Sequence, residues 1–376
     1  MLLEDTNLAA THAPRKGQHV SVSSVLRRGL RYVRRLGQGL RRLVSRRTVF
    51  GFLGRIPLQI SLQTSAPIGA VGDEWGDAFF AEDFARSLRR LGHTVFVDRL
   101  GEHIRPTGAR RDDVVVQLRG LHLSPLEPGA LNVLWVISHP DLVDDDEIRS
   151  GFDLVLAASA PWAEKKTRET GFRVSPLLQA TDPGRFHRGP VDSDLRFDLL
   201  FLGRSRNVFR TVVKDALEIG APITIIGENW EQFIDMSHVH SPFLDNERVS
   251  AAYRGARVVL NDHWEDMRRA GFISNRLFDA VASGAVVVSD PVEGISDIFS
   301  DSVAEYESVE DLKAILSPTY VWPSESERER ASLSVAQRHS FDARAEEFVA
   351  YVRHSIRHSV KQSAMNALPS FLRLQR

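Results

Sequence analysis

The chain of 376 residues contains no cysteine. Disulfides, thiolate-bound metal and cysteine redox chemistry are therefore excluded, and a reducing interior fits. It also lacks an apolar run of the roughly 18 to 20 residues that a membrane-spanning helix requires. Net charge is scarce, at −1. What is there is an ordinary globular composition, 43% hydrophobic and 26% charged. The length allows two or three domains with cores of their own.

The small net charge conceals an uneven distribution. Before Asp73 stand 12 Lys and Arg against only Glu4 and Asp5, which leaves 36 basic and 47 acidic residues for the remainder. Residues 1–55 therefore form a basic arm. Within it Val22, Leu26, Gly29, Val33, Leu36, Leu40 and Leu43 recur every three or four residues, and most of the arginines lie off that stripe. Residues 21–47 read as a basic amphipathic helix suited to an anionic membrane surface. The plainer alternative packs the stripe on the main body. Nucleic acid is not an expected partner, because the arginines lack a run of interleaved aromatics. The first residues carry neither the apolar core nor the cleavage site of a secretory signal. A cytoplasmic protein, peripheral at the inner face of the membrane, is expected.

From Ile56 onward the pattern is α/β. A strand over Ile56–Leu62, a loop to Gly76, a helix over Asp77–Leu91 and a strand at Val95–Val97 make a β-loop-α-β unit, hence a parallel sheet. Further strands are expected at Asp113–Leu118, Asn132–Ile137 and Leu154–Ala157. Chemistry in such sheets sits at the carboxyl ends of strands, which singles out the loops Gly72–Asp77 and Ser138–Asp141. His139 can act as a general base on an acceptor hydroxyl, since its pKa lies near working pH; the plain alternative is a loop histidine bonded to backbone. Asp77 either caps its helix or serves acceptor binding or base chemistry. Asp144 to Glu147 suits the start of a helix, where carboxylates meet the dipole.

Thr181-Asp182-Pro183-Gly184 and Gly189-Pro190 interrupt the pattern as a linker. The expected division is an arm at 1–55, a first domain at 56–185 and a second at 186–340. A final helix with a tail occupies 341–376, the helix at Asp342–Val360 being able to cross back to the first domain. In the second domain a buried strand, Asp198–Leu202, runs into Gly203-Arg204-Ser205-Arg206-Asn207 and then a helix. Gly203 lets a phosphate approach the backbone, the helix start offers free N–H groups, and Arg204 or Arg206 can neutralise a diphosphate. This loop is neither a Walker loop nor a GxGxxG, and a tight turn with surface arginines is the alternative. A strand over Ile223–Ile226 closes at Gly227, and Val239-His240 is a short extended piece. The stretch Gly271–Asp290 comprises a loop ending in Ser274-Asn275, a helix over Arg276–Ser283 stopped by Gly284, and a strand over Ala285–Val288. Arg276 and Asp279 lie one turn apart. A carboxylate at Asp279 can accept both hydroxyls of a ribose, while Arg276 reaches a phosphate or pairs with Asp279.

These residues resemble a family. Two Rossmann-like doubly wound parallel-sheet domains, joined by a proline-containing hinge and facing a central cleft, look like the GT-B glycosyltransferases. The stretches FDLLFLGRSRN, ITIIGENW and GFISNRLFDAVASGAVVVSD resemble the donor-binding half of the spore-maturation-type (CgeB-like) branch, through Asn275, Arg276, Leu277-Phe278-Asp279, Ala282 and Gly284. The likeness runs from the mid-fifties to about residue 355. It implies transfer of a sugar from a nucleotide-diphosphate sugar donor to a glycan, lipid-linked or small-molecule acceptor, with no metal and no cofactor. It implies a ribose contact for Asp279, diphosphate contacts for Gly203–Asn207 and nucleobase contacts for Val239 and His240. Better known retaining GT-B enzymes carry a Glu eight residues before the ribose carboxylate. Here Gly271 stands there, beside Ala270, and Asp266 is the nearest upstream acid. A sugar-nucleotide epimerase or phosphorylase on the same fold, and a non-catalytic binding subunit, are the alternatives.

Overall fold

The computed structural model describes residues 57–73, 75–103 and 111–367. The amphipathic helix expected over 21–47 lies outside these residues, as does the segment after residue 367. The first lobe is a six-stranded sheet of β1 (Gln59–Pro67), β2 (Thr94–Leu100), β3 (Val114–Arg119), β4 (Leu131–Val136), β5 (Leu154–Ala157) and β6 (Val174–Pro176). All its pairings are parallel, in the order β2-β1-β3-β4-β5-β6. Its inner strands are covered on both faces; every residue of β3 and β5 is buried. The helix Gly76–Arg90 turns Ala78, Ala81, Phe84, Ala85 and Leu88 onto one of these faces, at helical spacing.

The second lobe holds β7 (Phe197–Leu202), β8 (Ile223–Ile226), β9 (Val239–Ser241), β10 (Ala256–Asn261), β11 (Val287–Ser289) and β12 (Val303–Glu305). They too are parallel, in the order β12-β11-β10-β7-β8-β9. The strand expected at Ala285–Val288 starts later than its apolar run. The Ala285 N–H still bonds back to the Ala280 carbonyl at 3.0 Å, finishing the preceding helix, so pairing opens at Val287.

The last helix, Phe341–Ala367, does cross back. Phe341, Ala345, Phe348, Val349, Val352 and Ile356 join the core of the first lobe, where Phe348 meets Phe84 edge-on at 5.5 Å. Each such burial contributes about 1.5–3 kcal/mol for a large apolar side chain. Residues 361–367, expected as tail, continue this helix. The two crossings between lobes are bonded to each other: Thr181 N–H donates to His339 O and Phe341 N–H to Thr181 O, both at 2.9 Å. A third junction is apolar, with Met267 and Phe272 of the second lobe in one cluster with Val136, Ala157 and Trp162 of the first.

Candidate active site

Each sheet reverses its strand order once, between β1 and β3 in the first lobe and between β7 and β10 in the second. Connections leaving such neighbours diverge to opposite faces and open a crevice at the carboxyl ends. The two crevices face each other across a cavity of about 360 Å³. Asp77, His139, Arg206, Asn275 and Asp279, which lie up to about 200 residues apart in sequence, all line it.

From the first lobe come Asp77 and His139. Asp77 does not cap its helix: the N-cap position is Trp75, with no side-chain cap, and Asp77 sits inside the first turn. The helix starts one residue earlier than its pattern suggested, because Gly76 is taken into it. The Asp77 carboxyl instead overhangs the end of β3, where a side chain at Gly120 would come within 3.5 Å of it. Burial pushes its pKa above the ordinary carboxylate range. Asp144, by contrast, does cap, accepting from the Glu147 N–H. His139 follows β4 in the left-handed region, with φ of 50°. Gln179 supports that strand end by donating to the Ile137 carbonyl at 2.8 Å. Burial holds the His139 imidazole below its usual pKa; Asp266 opposes this, and Arg206 and Arg119 add to it. The shift favours the neutral ring, the form a base requires.

From the second lobe comes the loop after β7. Gly203 N–H donates to Ile226 O at 2.8 Å. A Cβ on Gly227 would lie 2.1 Å from the Gly203 carbonyl oxygen, so Gly227 is demanded by the close approach of the two strand ends. Arg204 turns away to Glu228, 3.1 Å off, and is exposed. Arg206 and Asn207 both take left-handed backbone, φ 62° and 57°, and Asn207 is exposed. Arg206 lies over the Trp264 ring at 4.5 Å. It makes no ion pair among the described residues. Burial, together with Arg210 and Arg276, pushes its pKa down to about 9. An arginine this short of counter-charge is a ready anion site.

Ser274 occupies the cap position before the helix Asn275–Ala282. Asp279 is 9% exposed; its Oδ1 accepts from Thr181 Oγ1 at 2.7 Å and its Oδ2 from Asn275 Nδ2 at 2.8 Å. Burial pushes its pKa up to about 8 despite those bonds. The buried Oδ1 of Asn275 has no hydrogen-bond partner among the described residues. Arg276 neither pairs with Asp279 nor lines the cavity. It donates to Asn261 Oδ1 at 2.8 Å and covers the Phe201 ring, tucked under Gly203. Val239 and His240 lie on edge strand β9, away from this cavity; His240 is exposed, with its ring against Phe197.

Several residues here were not singled out from the sequence. Thr181 of the linker holds Asp279. Arg210, also over Phe201, forms a buried two-pronged pair with Asp262, with one bond of 2.8 Å from its Nε. His263 bonds Asp290 Oδ1 through Nδ1 at 2.6 Å and accepts the Ser274 N–H through Nε2 at 2.9 Å. Burial alone would raise Asp290, but the His263 contact brings it below its usual pKa. All of these join positions far apart in the chain, so neither motif nor period marks them. Arg206, Arg210, Asp262 and Asp290 also line a neighbouring cavity of about 630 Å³. Among the described residues no three His, Cys, Asp or Glu side chains stand together as metal ligands.

Residues 204–350 match the family model described as glycosyl transferase-like. The fold is that of the GT-B glycosyltransferases. AviGT4, a glycosyltransferase involved in Avilamycin A biosynthesis, superposes with a TM-score of 0.53 at 19% identity, covering 80% of this chain and 98% of that one. Sucrose-phosphate synthase from Thermosynechococcus elongatus gives 0.52 at 12% identity, over 79% and 98%. The α,α-trehalose 6-phosphate synthase from Burkholderia multivorans gives 0.52 at 10%, over 84% and 99%. At these identities the GT-B likeness is one of fold. No curated protein matches the chain in sequence.

Proposed function

We propose that the protein is a metal-independent glycosyltransferase that moves a sugar from a nucleotide-diphosphate sugar to a hydroxyl of a glycan, lipid-linked intermediate or small molecule, within the spore-maturation-type branch. The observation that carries this reading is Arg206, an arginine with no ion pair among the described residues at the switch point of the second sheet, in one cavity with Asp279 and His139. The acceptor oxygen attacks the anomeric carbon and its proton passes to His139. The bond from that carbon to the diphosphate oxygen breaks, and the electron pair leaves on the phosphate, where Arg206 and the N–H groups of the Gly203–Asn207 loop offset the charge. Asp279 accepts the ribose hydroxyls, the base extends out of the cavity toward Val239 and His240 on the edge strand, and Asp77 binds the acceptor. Residues 21–47 hold the enzyme on an anionic membrane surface.

A thermal-shift panel of nucleoside diphosphates and their sugars tests the donor. A true ligand at 100 times its dissociation constant adds roughly 2.7 kcal/mol of stability, and Asp279→Ala is expected to remove that shift. A panel in which no nucleotide moves the melting point ends the reading. Products then separate transfer from epimerisation or phosphorolysis. Deleting residues 1–50 is expected to abolish sedimentation with anionic liposomes while sparing the donor shift; retained sedimentation rejects the membrane role.

A further inference from the structure

Gly271 stands eight residues before Asp279, and no side chain can stand there. Its φ is +74°, and a Cβ would lie 2.5 Å from Pro161 Cγ and 3.1 Å from Ser159 Oγ of the first lobe. The position is consumed by the junction between lobes. The nearest acid, Asp266, lies on the short helix Glu265–Arg269, which is pinned to the first lobe at its C-terminal end. Arg269 bonds Asp141 Oδ2 at 2.6 Å, and Ser159 Oγ donates to the Ala270 carbonyl at 2.6 Å. So held, Asp266 places Oδ2 3.8 Å from His139 Nδ1 across the junction. His139 makes no side-chain hydrogen bond among the described residues, and its ring lies beside Trp264 at 5.6 Å. Asp266 itself does not line the cleft; His139 does.

We propose that Asp266 is the positioning residue for His139: it takes the Nδ1 proton as hydrogen-bond acceptor, leaves the Nε2 lone pair to the acceptor hydroxyl, and does so only while the two lobes are together. The base is then assembled from both lobes, and an opened molecule holds an unoriented histidine. A gap of 3.8 Å is longer than a hydrogen bond, and such contacts tighten when ligands close a site. Once the acceptor's proton is on Nε2, the imidazolium faces a carboxylate, which stabilises it. The other charges that face this ring are Arg206 and Arg119, both cationic, so Asp266 is the counter-charge available to it. The role as base rests on the transferase reading; the pairing does not.

The test is Asp266→Asn, which keeps the shape and removes the charge. Imidazole titration by NMR on the full-length, ligand-free protein reads the pair directly. His139 is expected to titrate at lower pH in Asp266→Asn than in wild type, and Asp266→Glu to restore it. In turnover, the acidic limb of kcat/KM moves to lower pH and kcat falls roughly 10-fold or more, with donor KM unchanged. A His139 titration that does not move overturns the pairing. A titration that moves in a protein that transfers no sugar leaves the pairing standing, and the transferase reading is what fails. If transfer occurs and falls with His139→Ala, yet Asp266→Asn leaves the acidic limb in place, the positioning role is rejected and the transferase reading survives.

Discussion

The two lobes are built alike and charged differently at the ends that meet. Each is a six-stranded parallel sheet with one reversal of strand order. At and beside that reversal, after β1 and β4, the first lobe presents Asp77 and His139, titratable groups whose burial favours their neutral forms. The second presents Arg206, with Arg210 and Arg276 packed beneath on either side of Phe201. Arg210 and Arg276 are tied to Asp262 and Asn261 at the end of β10, while Arg206 is left to stack on Trp264. In the proposed reading one fold thus serves two kinds of chemistry, proton handling on one side and anion binding on the other. The sheet supplies the crevice, and the side chains at its rim decide what the crevice does.

That division can be broken. The largest expected effect is on the second lobe's own integrity: Arg210→Ala leaves Asp262 buried without its partner and is expected to lower unfolding stability by about 3–5 kcal/mol, measured by denaturant titration. Next is His139→Ala, with turnover reduced roughly 100-fold or more and donor affinity by calorimetry unchanged. A loss of donor affinity of comparable size would mean that the first lobe binds the donor after all. Arg206→Gln should act the other way round, weakening nucleoside diphosphate binding by about 2 kcal/mol while unfolding stability holds; unaltered binding would remove the second lobe's claim to the phosphate. The smallest effect sharpens the picture of Asp279. Its carboxyl, pushed up to about 8, keeps its proton in the folded protein where the unfolded chain, titrating near 3.8, has lost it. The folded state binds the extra proton, so this group makes stability fall as pH rises from about 4 to about 8 and level off above. Asp279→Asn is expected to flatten that part of the stability–pH profile by at most about 1.4 kcal/mol per pH unit. An unchanged slope would mean that Asp279 is ionised in its pocket.

Local chemistry made much of this molecule legible. The alternation of apolar runs with amphipathic stretches is enough for two parallel α/β lobes, because a strand covered on both faces is mostly apolar, as β5 and the first half of β3 are. Strand ends followed by Gly203 and by Ser138-His139 were recognisable as rims for the same reason. Where local reading slipped, neighbours had decided. Asp77 looked like a cap until Gly76 joined the helix, and Ala285 looked like strand until its N–H was seen to close the preceding turn. Arg276 was expected to reach a phosphate or pair with Asp279, yet Asn261 and Phe201 draw it beneath the Gly203 loop.

The stretch Gly271–Asp290 shows the same boundary in small compass. Its order of loop, helix and buried strand follows from residue type and spacing, since those act between near neighbours. That Asp279 answers to Thr181, that Gly271 is wedged against Pro161, and that Asp266 faces His139 are matters of about 100 residues or more of separation. No periodicity encodes such contacts. They exist because two crossings and one apolar junction bring the carboxyl ends of two sheets together, and burial there favours the protonated form of some acids and leaves Arg206 to stack on Trp264.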